Sequence, residues 1–286
     1  MALQFFDADD GARLAYQDEG HGLPIVALAG LTRDHKDFDY LGRHLKDCRL
    51  IRLDARGRGA SAWTGPATYN LARESADVLG LLDHLRLEHA AILGSSRGGL
   101  IGLVLGAVRP DRISGLCLND VGPVVERVGL ERIGQYIGQT PSVTTLIEAA
   151  DRLPHAMPGF ANVPQFRWME ETVRHYVQAD GHLDLPYDAR LRESFDAAMA
   201  GPLGTLWPQF DACAALPMAV IHGSGSDVLS AATVAEMRTR RPDLICAEVP
   251  DRGHIPFLDE PTALAAIAAW MDLLRAREAE RPVAAV

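Results

Sequence analysis

A serine stands among small residues in Gly94-Ser95-Ser96-Arg97-Gly98, with Gly99 behind it. The apolar run Ala90-Ala91-Ile92-Leu93 precedes it, and an apolar helical stretch from Arg97 to Val108 follows. The chain must therefore turn from strand to helix within about two residues. That turn forces its central residue into a strained backbone conformation, so the neighbours must be small. It lifts the Ser96 hydroxyl clear of the sheet edge, at a helix N-terminus. There the N–H of Arg97 points at any negative oxygen formed nearby. The chemistry this suits is nucleophilic attack on a carbonyl. The weaker reading is a Gly/Ser turn that only packs a helix on a sheet.

A serine hydroxyl is a poor nucleophile without a base. Of ten histidines, His254 has the best position, in Asp251-Arg252-Gly253-His254-Ile255-Pro256 after the last strand. In a parallel sheet that loop opens on the same edge as Ser96, and Gly253 and Pro256 shape a turn able to hold an imidazole. His222 ends an apolar strand and is a candidate for the pocket rim. The imidazole in turn needs an acid to fix its tautomer and stabilise its cation. Asp120 follows the strand after Ser96, 24 residues on, and Asp227 follows a later strand in His222-Gly223-Ser224-Gly225-Ser226-Asp227. Both loops face the catalytic edge, and the residues alone leave the choice open. No H-E-x-x-H or comparable ligand set is present, and Cys48, Cys117, Cys213 and Cys246 are far apart. Neither a metal nor a cofactor is expected, and the cysteines read as reduced and structural.

The elements that must position these residues alternate along the chain. Two short strands near the N-terminus meet at Asp9-Asp10-Gly11, the second, Arg13 to Tyr16, patterned like a half-exposed edge. Pro24 to Ala29 is a continuous apolar run, the signature of a strand buried on both faces. A helix over Phe38–Lys46, a strand over Leu50–Leu53, and a helix over Tyr69–Leu87 follow. After the serine turn, Ile113–Leu118 is a strand. Strand and helix in short alternation mean a parallel sheet with helices on both faces. The rhythm stops after Gly122-Pro123, where helical patches are broken by Pro141, Pro154, Pro158, Pro164 and Pro186. One patch, Val163–Gln178, sets Phe166, Met169, Val173 and Val177 at helical spacing. Alternation resumes at Pro217 and ends with a helix over Pro261–Arg275 and a frayed tail from Arg277.

The whole chain sets bounds. It has 286 residues, enough for one large domain or a domain carrying an insertion. Its net charge of −10 argues against a nucleic-acid partner, because phosphate contacts need a basic face. No apolar run approaches the roughly 18–20 residues of a spanning helix. The N-terminus lacks a basic and apolar leader, so the expected location is the cytoplasm. A small-molecule substrate is the expected partner, with a homodimer left open.

Four pieces together carry a family resemblance. They are Ala29-Gly30-Leu31, the stretch Asp54-Ala55-Arg56-Gly57-Arg58-Gly59-Ala60-Ser61, the serine turn, and Gly253-His254-Ile255-Pro256-Phe257-Leu258-Asp259-Glu260-Pro261. The chain resembles the capped serine hydrolases of the α/β-hydrolase superfamily over about residues 10–275. The resemblance implies an α/β fold: an eight-stranded, mostly parallel sheet with helices on both faces and a helical cap inserted after the sixth strand. The core would be 1–124 with 206–286, and the cap 125–205. In most relatives the acid stands three residues after the glycine ending the seventh strand, which here is Ser226, with Asp227 one residue late. Asp120 fits the variant in which the acid follows the sixth strand, and is preferred with Asp227 as the alternative.

The resemblance also implies an oxyanion hole from the N–H groups of Leu31 and Arg97, although Ala29-Gly30 replaces the His-Gly of many relatives. Arg97 is unusual after the nucleophile, and a structural ion pair that braces the cap is favoured over a substrate anchor. Arg56 resembles a structural element of the family, and Arg33, Asp34, His35 and Asp37 read more as a solvated turn than as pocket rim. Gly30, Trp168 and His222 are the candidate substrate contacts; Phe166, Met169, Tyr176, Trp207, Arg167, Arg174 and His175 are weaker ones from the cap and its edge. The expected activity is cleavage of an ester or lactone through an acyl-enzyme. The rivals are hydrolysis of a carbon–carbon bond in a ring-cleavage product and a hydrolase-like protein that only binds a small ligand. Dehalogenase and epoxide hydrolase chemistry would need an aspartate in place of Ser96.

Overall fold

The computed structural model describes residues 2–280. The first half alternates β1 (Gln4–Asp7), β2 (Arg13–Gly20), β3 (Leu23–Leu28), α1 (Asp39–Gly42), β4 (Cys48–Leu53), α2 (Leu71–His84), β5 (Ala90–Ser95), α3 (Arg97–Val108) and β6 (Ile113–Asn119). An insertion follows: α4 (Arg127–Gly134), α5 (Leu146–Ala156), α6 (Gln165–His175), the hairpin β7 (Val177–Ala179) and β8 (His182–Asp184), then α7 (Leu191–Met199). The alternation closes with α8 (Trp207–Ala212), β9 (Met218–Gly223), α9 (Ala231–Arg240), β10 (Ile245–Val249) and α10 (Pro261–Glu280).

Eight strands form one sheet in the order β1-β2-β4-β3-β5-β6-β9-β10. The pairs β1–β2 and β2–β4 are antiparallel and the rest parallel. The apolar runs of β3, β5, β6 and β9 are buried on both faces, as parallel strands under helices must be. Ile92 of β5 joins α2, α3, α8 and α9 in one core, while Ala91 and Leu93 join α1 and α10 in the other. Every parallel strand ends on one edge, so the loops after β3, β5, β6 and β10 converge there.

Several elements depart from the sequence pattern. β2 is an inner strand, because β1 pairs outside it. The helix expected over 38–46 is a 3-10 turn (His35–Phe38) followed by the single turn α1. α5 runs through Pro154, which removes one hydrogen bond close to the helix end, and Thr145 caps its start. The apolar stripe of α6 does not face a core: Phe166 and Val173 are 64% and 46% exposed. Its buried face is Trp168, Glu171, Thr172 and Arg174, because arginine and glutamate pair with the loop after β3. The last helix continues to Glu280, past the tail expected from 277, and 281–286 lie outside the described residues. Among the described residues no helix is long and apolar enough to cross a membrane.

Candidate active site

Ser96 joins β5 to α3 with φ 49° and ψ −116°, a strained geometry outside the ordinary regions. The turn needs glycine on both sides. A Cβ on Gly94 would lie 2.4 Å from the Gly98 backbone, and one on Gly98 would lie 2.1 Å from the Leu28 carbonyl. Ser96 N donates to Asn119 O at 2.9 Å, which pins the turn to the end of β6.

Three side chains meet in a line. His254 Nε2 is 2.9 Å from Ser96 Oγ, and His254 Nδ1 is 2.8 Å from Asp120 Oδ2. Ser95 and Asn119 are paired across β5 and β6, so Ser96 and Asp120 begin side by side. Asp120 is fully buried with φ 53°, a conformation aspartate tolerates better than most residues. Its Oδ1 accepts the Gly223 N–H at 2.8 Å and its Oδ2 also accepts the Ser226 hydroxyl at 2.6 Å. Ser226, one residue before the alternative Asp227, thus donates to Asp120. The Asn119 amide donates to Ser95 Oγ and to Pro256 O, tying the histidine loop to both strands.

Asp227 takes no part in this line. It accepts both arms of Arg132 from α4, at 2.5 and 2.9 Å. Burial pushes its carboxyl up, but Arg132 outweighs that and holds it below the usual carboxylate range.

Leu31 follows β3 and Arg97 opens α3, so the Arg97 N–H is among the helix-start donors with no partner inside the helix. The Arg97 side chain turns to the core, donating to Glu74 Oε2 at 2.6 Å and to Tyr69 O at 3.2 Å. The ion pair therefore braces α2 and not the insertion. Arg56 is fully buried on Asp77 and Asp10.

Two chambers meet at Leu31, Ser96 and Ile133, between the strand ends and the insertion. The more polar one, of about 160 Å³, carries the charged and hydroxyl groups of Arg33, Asp37, Tyr136, Glu171, His175 and Tyr176 beside His254, on a wall that also includes Leu153, Met157 and Phe257. The other, of about 600 Å³, is apolar, with Leu100, Val121, Leu130, Phe195, Met199 and Leu206 on its wall. Arg33 donates to Asp37 at 2.6 Å, to Glu171 at 3.0 Å and to His175 Nε2 at 2.6 Å. Arg33 and Asp37 are thus cavity walls and not a solvated turn. Burial pushes the Asp37 carboxyl up to about 6, with Glu171 and Asp34 adding to it against Arg33. Burial, then Arg33, pushes His175 down to about 4.

The candidate substrate contacts divide. Gly30 lines the polar chamber beside Ser96. Trp168 does not reach either chamber; it is buried with Ala150 and Leu153, edge-on to Phe160. His222 also stands apart, buried, with Nε2 3.0 Å from Leu229 O. The apolar strand pattern at His222 marked burial, not a rim. Of the weaker candidates, His175 and Tyr176 line the polar chamber, while Arg167 stacks on Tyr40 and pairs with Asp259. The sequence offered no sign of Tyr136, Glu171 or Phe195, which reach the cavity from three insertion helices or the turns beside them. Among the described residues, Asp34, His35 and Asp54 could converge on an ion. Protein hydrogen bonds already account for them: Asp54 Oδ1 faces His35 N and Nδ1 at 2.8 and 2.7 Å, and Asp34 caps the turn at Lys36 N.

Known proteins resemble the chain along nearly its whole length. The family model described as the alpha/beta hydrolase family matches residues 21–267. A 3-hydroxybutyrate-oligomer hydrolase of Cupriavidus necator is 34% identical over 88% of this chain and 90% of its own. A 2-(acetamidomethylene)succinate hydrolase of Mesorhizobium japonicum is 27% identical over 84% of each. Among solved structures, an alpha/beta hydrolase from Novosphingobium aromaticivorans superposes with TM-score 0.88 at 36% identity, over 95% of this chain and 98% of that one. With the eight-stranded sheet and the serine turn already in place, the match over 21–267 settles the lineage: the chain belongs to the alpha/beta hydrolase family.

Proposed function

We propose that this hydrolase cleaves esters without a cofactor, through an acyl-enzyme on Ser96. The observation that carries the reading is the unbroken line Ser96 Oγ–His254 Nε2 and His254 Nδ1–Asp120 Oδ2, at 2.9 and 2.8 Å. His254 takes the Ser96 proton as Oγ bonds to the carbonyl carbon, and Asp120 stabilises the imidazolium. The Leu31 and Arg97 amides receive the oxyanion, each worth about 3–4 kcal/mol in the transition state. The C–O bond then breaks, and the His254 proton leaves with the alcohol. Water repeats the sequence on the acyl-enzyme and releases the acid. The insertion serves as a cap over this centre.

The two chambers give the substrate a direction. His254 must hand its proton to the leaving alcohol, and of the two chambers it lines the polar one. The alcohol therefore departs on the polar side and the acyl chain rests among Leu100, Val121 and Phe195. The relative acting on 3-hydroxybutyrate oligomers, whose leaving groups are hydroxy acids, is consistent with this direction. A second reading, carbon–carbon bond hydrolysis, gains from the charged groups around Arg33. A β-diketone-like acid turned over with no activity on simple esters would favour it.

The test is intact-mass labelling with a fluorophosphonate. The wild type should gain one adduct and Ser96→Ala none. An unlabelled wild type would put the protein among binders of small ligands instead.

A further inference from the structure

We infer that Glu74 is a positioning residue that holds both oxyanion amides in place through Arg58 and Arg97. The inference rests on the reading of Leu31 and Arg97 as oxyanion donors. Glu74 sits in the first turn of α2, 2% exposed, away from the cavity between the two chambers. Its Oε1 accepts from Arg58 Nη1 at 2.8 Å, and its Oε2 accepts from Arg97 Nε at 2.6 Å. Arg58 is 1% exposed and donates from Nε to the Leu31 carbonyl at 2.8 Å and from Nη1 to the Arg56 carbonyl at 2.6 Å. One carboxylate thus reaches Leu31 through one guanidinium and Arg97 directly.

These atoms do what a free loop cannot. Leu31 lies in a connection after β3, where the Arg33 N–H donates to the Gly30 carbonyl at 3.2 Å and so holds the peptide that carries the Leu31 N–H. The Arg58 bond to the Leu31 carbonyl holds the next peptide, so Leu31 is held on both sides. Arg97 is bound at its side chain and through Nη2 to Tyr69 O, so the first turn of α3 is tethered to α2. A carboxylate needed only to neutralise buried Arg58 would be complete with that one partner. The second bond runs to Arg97, whose side chain is 19% exposed and needs no buried counter-charge. Burial pushes the Glu74 carboxyl up, but the two arginines outweigh it and keep it ionised.

The test separates positioning from folding. Glu74→Gln keeps the shape and removes the charge. Its kcat should fall about 100-fold, as small misplacements of reacting groups do, with KM within about twofold of wild type. Affinity for a boronic acid, which forms a tetrahedral adduct on Ser96, should fall with kcat, while affinity for the carboxylic acid product should not move. Arg97→Met removes one arm without stranding a buried charge, and should show the same split at about 10-fold. It decides the matter if Glu74→Gln does not fold. Unchanged kcat in folded Arg97→Met overturns the inference. So does a parallel loss of boronate and product affinity that follows the folded fraction. A wild type that takes no fluorophosphonate on Ser96 would fail the underlying reading, not this one.

Discussion

At the scale of single residues, the two aspartates have opposite surroundings. Asp120 accepts from a backbone N–H and a serine hydroxyl and faces His254, all while fully buried. Asp227 is half-buried and occupied by Arg132. Asp120→Asn should therefore lower kcat about 10⁴-fold by favouring the wrong imidazole tautomer. Asp227→Asn should lower it less than about 10-fold, and steady-state assays of the two purified variants decide between them. Ser96 and His254 were legible in the sequence because glycine spacing and loop position constrain them. The carboxylate that faces His254 was only half legible, since 120 and 227 both follow strands that end on the same edge. The telling residue was Ser226, an acceptor's usual place filled by a donor. Glu74 was not legible: it is an ordinary helix residue until Arg58 and Arg97 are seen to share it.

At the scale of elements, α6 docks on the loop after β3 through charges. Arg33 reaches Glu171 and His175, and Arg174 donates to the Lys36 carbonyl at 3.1 Å. Period alone pointed to the Phe166–Val173 stripe because apolar spacing cannot register a face buried by ion pairs. The β7–β8 hairpin was not legible either, since three residues per strand are too few for alternation to mark a strand. The docking site has opposing pH terms. Asp37 moves from 3.8 to about 6 on folding, so between those values the folded chain keeps a proton that the unfolded chain has lost. Its contribution to stability falls as pH rises through that window. His175 moves from 6.5 to about 4, so its contribution rises with pH over nearly the same window. Each masks the other in the wild type. Asp37→Asn should make Tm climb more steeply with pH between about 4 and 6, and His175→Gln should tilt the trend the other way. Thermal melts of both variants against wild type, at intervals across that range, check the signs; equal slopes in all three would refute the pairing.

At the scale of the molecule, a parallel sheet under helices was readable from buried apolar runs, because parallel strands tolerate few polar residues; the order of its strands was not. The chambers were not, since their walls come from stretches more than 160 residues apart, such as Leu31 and Phe195. Their arrangement predicts a preference between isomeric esters. A hexanoyl ester of a polar diol should be turned over at least about 10-fold faster, by kcat/KM, than the hexyl ester of a hydroxy acid of equal size. Equal or reversed rates would show that acyl and alcohol sites are misassigned. Ser96 and Asp120 follow neighbouring strands, and both precede the insertion; only His254 arrives after it. Recombination between β6 and α8 therefore exchanges the insertion while leaving Ser96 and Asp120 on one unbroken inherited segment. The joints such a chimera must restore include Tyr69 to Asp188, Gly59 to Pro186, Arg132 to Asp227 and the α6 contacts of Arg33 with Glu171 and His175.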